Sequence, residues 1–228
     1  MAAGLLATVL VWTPSVVAAT TEDAVQGIKQ ALLEAPPSGT HRARALEALL
    51  QRVQANAGGD SRPAELLVWE GIVVAHLSAA RANLSSLRLA KSARALFEAA
   101  EAMDPAALDW SVYSLLGYLY ANVPGWPLGF RDNERARGHY RHAITLNPSG
   151  AEPHRAYGEF LLKQEQYGAA VRELEFALQA PLRTGEEAAD GQVCNAKWCL
   201  RHSAETDTLF RAETRELLDS ALSKNARP

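Results

Sequence analysis

Three stretches of this chain carry the same marks at helical spacing, and that recurrence narrows the possible folds more than any other feature. In "AEPHRAYGEFLLKQEQYGAAVRELEFALQAP" Gly158 is followed twelve residues on by Ala170, then by Leu174 and Ala177. "ERARGHYRHAITLNP" repeats the second half as Ala136, Tyr140, Ala143 and Pro148, and "KSARALFEAAEAMDP" does so as Ala93, Phe97, Ala100 and Pro105. Upstream of these lie "WSVYSLLGYLYA" with Gly117 and "AELLVWEGIVVAHL" with Gly71. Each unit therefore reads as a pair of helices. Pro105 and Pro148 end the second helix of their pairs, because proline cannot continue the preceding turn with a normal hydrogen bond. Runs of alternating Val, Ile and Thr are scarce, so the expected fold class is all-α.

The pattern resembles the tetratricopeptide repeat (TPR). In that repeat a small residue on the first helix lets the second approach closely, and a large side chain fills the gap between them. The resemblance implies a helical-hairpin solenoid with repeats at about 64–105, 110–148 and 151–181. Gly158 to Ala170 has the standard spacing of 12, whereas Gly117 to Ala136 is 19 and Gly71 to Ala93 is 22. The longer of the two excesses is expected to lengthen both helices of its pair, with Asn83 near the turn. The other is the insert "ANVPGWPLGFRDNERA". Its Pro-Gly and Trp-Pro steps mark a turn, and Asp132 or Asn133 can cap the helix that follows. It carries Trp126, Leu128 and Phe130, where a flexible linker would be polar. These three side chains either plug the gap between neighbouring repeats or form an exposed apolar lip for a partner.

Two helices are expected before the repeats, one ending near Glu34 and one capped by Thr40 with Leu46, Leu49, Leu50 and Val53 on its apolar face. After the repeats, "AETDTLFRAETRELLDSALSK" reads as an amphipathic capping helix, needed because a last repeat would otherwise expose its apolar face. Residues 20–228 thus read as one domain. Residues 1–19 stand apart: they are uncharged, mostly apolar and interrupted by Pro14, with small residues at Val17-Ala18-Ala19. This resembles a secretory signal peptide; a retained anchor is the alternative. A periplasmic or secreted protein with no membrane span after cleavage is expected. In that setting Cys194 and Cys199 read as a disulfide, with free thiols or a metal site shared with His202 as alternatives.

"VPGWPLGFRDNERARGHYRHAITLNP" followed by "HRAYGEFLLKQEQYGAAVRELEFALQAP" is similar to exported bacterial TPR proteins of the TatT-like family, the T-components of tripartite ATP-independent periplasmic transporters. It is more distantly similar to the regulator of microtubule dynamics proteins. The resemblance spans roughly residues 64–181. It implies an exported scaffold rather than an enzyme, with a transporter component or a second copy of the chain as partner.

TPR stacks bind extended segments along a concave face lined by the first helices. Mapping from the glycines places Glu65, Val68, Ile72 and His76 there in the first repeat. The second contributes Ser111, Ser114, Tyr118 and Asn122, and the third Glu152, Arg155, Glu159 and Leu162. Either this face is open to an amphipathic segment or a small apolar ligand, or the flanking helices fill it. A net charge of −3 gives no basic field for nucleic acid. No phosphate-binding loop, nucleophile motif or HExxH pattern is present, so no catalytic residue, metal or cofactor is expected. His139 and His142 share a helix face without matching ligands and read as part of a solvated basic surface.

Overall fold

The computed structural model describes residues 21–55, 62–81, 84–108, 111–181 and 204–226. The segment read as a signal peptide and the Cys194–Cys199 pair lie outside the described residues. Within them every regular element is an α-helix: α1 (Thr21–Glu34), α2 (Gly39–Ala55), α3 (Ala64–Ala80), α4 (Leu84–Met103), α5 (Ser111–Asn122), α6 (Asn133–Leu146), α7 (Ala151–Lys163), α8 (Tyr167–Gln179) and α9 (Ala204–Asn225). The chain is an all-α protein built on helical hairpins. The most extensive packing joins α3 to α4, α7 to α8 and α5 to α6, and helices two apart along the chain also touch, α1 with α3, α5 with α7 and α7 with α9.

The recurring residues explain why the hairpins close. In each pair the glycine of the first helix faces the large side chain of the second. A Cβ on Gly117 would sit 3.0 Å from the Tyr140 ring, one on Gly158 would sit 2.7 Å from Leu174 Cγ, and one on Gly71 would press into the Phe97 ring, 2.8 Å from Cδ1 and nearer still to Cε1. The small residues one turn either side of these large ones, Ala93 and Ala100, Ala136 and Ala143, Ala170 and Ala177, are all buried. Where small residues let backbones approach, the large one fills the remaining space at interior density. α4 and α6 stop at Met103 and Leu146, each two residues before a proline. The long first spacing is taken up by length: α3 has 17 residues and α4 has 20, against 13 each in α7 and α8.

α1 and α2 complete the N-terminal side. Val25, Ile28 and Leu32 of α1 and Ala43, Leu46 and Leu49 of α2 join one core with Val68, Trp69, Ile72 and Val73 of α3. Polar ties fix the same interface: Gln54 Nε2 donates to Glu70 Oε1 at 2.9 Å, Arg62 pairs with the same carboxylate, and Arg81 pairs with Glu47. α2 begins at Gly39, one residue before the expected cap at Thr40, with Gly39 itself in the left-handed region (φ 76°) that favours glycine.

Arg42 of α2 reaches His76 on α3, with Nη2 3.2 Å from Nδ1. A guanidinium can only donate, so Nδ1 accepts and the imidazole is neutral with its proton on Nε2. Burial, then the adjacent Arg42 charge, pushes the His76 pKa down to about 4. Between the ordinary histidine value and that figure the unfolded chain binds a proton that the folded chain does not. The stability contributed by His76 is therefore fully present above about pH 6.5 and is lost as pH falls towards 4, by up to about 3 kcal/mol. Urea unfolding at pH 7 and at pH 5 checks this. His76→Gln is expected to flatten the pH dependence over that window, and an unchanged slope would refute the assignment.

Candidate functional site: a cleft between α5 and α7 and the loop beside it

Residues one turn apart on α5 face residues one turn apart on α7 across an open cleft. Ser114, Tyr118, Ala121 and Asn122 line one wall, Ala156, Glu159, Phe160 and Lys163 the other, and Tyr140 of α6 lies between them. Lys163 bridges the walls: its Nζ is 3.0 Å from the Glu159 carboxylate and donates to Asn122 Oδ1 at 3.3 Å. Burial raises the Tyr140 pKa well above the ordinary tyrosine value, with the Glu159 and Glu152 carboxylates adding to the effect. Its phenol therefore stays protonated. Its ring packs near Phe160 (5.3 Å between centroids) and Tyr157 (6.0 Å), which makes an aromatic floor. Ser114 is 2% exposed, and its Oγ has no hydrogen-bond partner among the described residues. That hydroxyl is closed off from solvent, so the polar groups the cleft presents at its surface are Asn122, Glu159 and Lys163.

The expected binding face is thus shorter than the spacing implied. Ser114, Tyr118, Asn122 and Glu159 are brought together, and Tyr118 and Asn122 are exposed. Val68 and Ile72 are fully buried in the core shared with α1 and α2, so neither presents a surface to a partner. Glu65 is half-buried on α3. The Ser111 hydroxyl donates to the Leu108 carbonyl oxygen. Arg155 is buried and engaged by α9: it lies 3.5 Å from Glu213, 3.8 Å from Glu159, and 5.5 Å from the centre of the Phe210 ring. The flanking helices therefore cover both ends of the predicted face and leave the middle. Lys163, Phe160 and Tyr140 were missed in the sequence reading. Lys163 was within reach of it, since it sits one helical turn beyond Glu159 on the same face.

The Pro/Gly-rich insert has a defined shape. Gly129 N–H donates to Gly125 O at 2.9 Å, Arg131 N–H to Pro124 O at 3.1 Å, and Asp132 N–H to Tyr120 O at 3.0 Å. Arg131 Nε donates to Val123 O at 2.8 Å. The Trp126–Pro127 peptide is cis. A Cβ on Gly129 would overlap the Pro124 carbonyl, so only glycine permits this close turn. Asp132 caps α6, accepting from Glu134 N–H at 3.1 Å and Arg135 N–H at 3.0 Å. The three apolar side chains do not act together. Phe130 folds back, edge-on to Tyr120 at 5.6 Å with the Arg94 guanidinium 4.5 Å from its ring centre. Trp126 and Leu128 project outwards, 90% and 63% exposed.

His142 is exposed with Arg135 and Arg141, as a solvated basic surface requires, whereas His139 is half-buried. His139 stacks on Tyr120 at 5.6 Å, and His142 meets Tyr113 edge-on at 4.4 Å. Burial lowers the His139 pKa, and the neighbouring His142 and Arg135 push the same way against Glu98. Among the described residues no group of three His, Cys, Asp or Glu side chains is placed to hold a metal, and no helix is long and apolar enough to cross a membrane.

No family model matches the sequence, and no curated protein sequence matches it significantly. Fold and site together define an all-α helical-hairpin protein with a short, open, amphipathic cleft.

Proposed function

We propose that this protein is a TPR-like scaffold that holds a short extended or helical segment of a protein partner in the α5–α7 cleft. The observation that carries this reading is the exposed Tyr118 ring beside the Lys163–Asn122 bridge that spans the cleft. That combination offers main-chain hydrogen bonding and apolar contact along one line, as a bound segment requires. Helix packing between near neighbours along the chain supports a repeat stack. The resemblance of residues 64–181 to TatT-like proteins adds the expectation of an exported accessory of a solute transporter, with no catalytic step.

A small-molecule carrier is the weaker reading. The cleft encloses about 10 Å³, the room of roughly one water, too little to surround a small molecule, whereas a bound segment lies along its rim on the exposed Tyr118, Asn122 and Lys163.

A photo-crosslinking residue in place of Tyr118 tests the proposal in the native host. A single discrete protein adduct, lost when Lys163→Glu is added, is the expected result. Absence of any adduct from Tyr118, with adducts from a control site on the outer face of α4, would refute the cleft as the binding face.

A further inference from the structure

The loop between α5 and α6 carries a second feature, independent of the cleft. Trp126 and Leu128 stand out from a turn whose backbone is tied at both ends by the hydrogen bonds described above, so their exposure is held rather than incidental. Two large apolar side chains this exposed on one tied loop form a local apolar tip. They form a protruding tip and offer no socket of their own. Their flank is cationic. A Cβ on Gly129 would lie 3.2 Å from Leu87 Cδ1, which sets the start of α4 against the loop. Lys91 is one turn beyond Leu87 on that face and Arg94 the next, under Phe130. Arg131 lies in the loop and Arg135 just beyond it. The acidic neighbours are engaged locally: Glu98 with Arg94 at 3.5 Å, Asp132 with Arg135 at 3.4 Å, and Glu134 with Arg137 at 3.9 Å. Lys91 and Arg131 are both exposed, and no ion pair engages either among the described residues.

We propose that this loop is a membrane-interface anchor: Trp126 and Leu128 enter the headgroup region of an anionic phospholipid bilayer while Lys91 and Arg131 meet its negative charge. Tryptophan is favoured at that depth because its ring is apolar and its N–H can still reach a polar partner. A bilayer receives a protruding tip without a preformed pocket, and basic side chains beside the tip add attraction to anionic lipid that salt screens. The contact lies on the surface and spans nothing, in keeping with the helix lengths.

Co-sedimentation of the full chain with phosphatidylcholine vesicles, with and without about 30 mol% phosphatidylglycerol, tests this at low and high salt. Binding is expected only to the anionic vesicles and only at low salt. Trp126→Ser with Leu128→Ser is expected to weaken it about tenfold or more, with an unchanged circular dichroism spectrum, since both side chains are exposed. Lys91→Glu with Arg131→Glu is expected to abolish binding to the anionic vesicles. Brominated lipid should quench more fluorescence in the parent chain than in Trp126→Phe. Failure to bind anionic vesicles at low salt would overturn the proposal. So would binding that survives the Trp126/Leu128 double variant, because residues 1–19 or another surface would then be responsible. Capture by a purified acidic protein in place of vesicles would do so as well.

Discussion

Phe97→Ala is expected to lower stability by about 3–5 kcal/mol, and Gly71→Ala by about 1–3 kcal/mol, yet the second change should turn stabilising in the background of the first. Phe97 is fully buried, and its ring lies where a methyl on Gly71 would go. In the parent chain the overlap outweighs the roughly 1 kcal/mol that alanine gains over glycine in a helix interior. Once the ring is gone the methyl fills part of the cavity, and only the helical preference remains. Urea midpoints for the two single variants and the double give the coupling directly. If Gly71→Ala stabilises the parent chain, the close approach of α3 and α4 is not what the glycine is for. The same reversal is expected at Gly117 with Tyr140, in a milder form, because the contact there is 3.0 Å.

Phe210→Ala should release α9 and cost about 3 kcal/mol. Phe210 is 7% exposed and packs with Ala151 and Ala180, which gives α9 a hold on both α7 and α8. Arg211 adds a hydrogen bond from Nη1 to Leu178 O at 2.5 Å, and Thr214 and Ala221 are fully buried further along the helix. Hydrogen exchange resolves the effect by helix. Amides of α9 should lose protection while those of α3 and α4 keep theirs, since stability in a stack of neighbouring helices is local. Uniform loss across the chain would mean that α9 is integral to one cooperative unit rather than a latch on its end. Releasing α9 also exposes Arg155, which the parent chain holds against Glu213 and Phe210. The same variant is therefore expected to lengthen the accessible face beside the cleft.

Much of this was legible in the chain. The run Ala170, Leu174 and Ala177 after Gly158, matched twice more behind Gly117 and Gly71, predicted the hairpins, and each glycine does receive the large residue four positions after the small one. Pro105 and Pro148 placed two helix ends, and Asp132 was readable as a cap. The site was legible only in part. Tyr118, Asn122, Ser114 and Glu159 fall in the cleft as mapped. Val68 and Ile72 do not, although they hold equivalent positions, because α1 and α2 lie over them. One signal was available: the run "AELLVWEGIVVAHL" is apolar almost all round, as a helix covered on every side should be. No comparable sign separated Phe130 from Trp126 and Leu128, which alternate in one short insert.

That division has a physical cause. Helix ends, helix pairing and the glycine–aromatic contacts depend on residues near one another in the chain, where periodicity and proline act directly, so the sequence alone determined the hairpins. Which faces remain open depends on where α1, α2 and α9 come to rest. An apolar stripe has the same period whether another helix or a partner covers it. Only the tertiary structure could show that the N-terminal helices close the first part of the face, that α9 takes Arg155, and that a cleft between α5 and α7 and two outward side chains on a fixed loop stay uncovered.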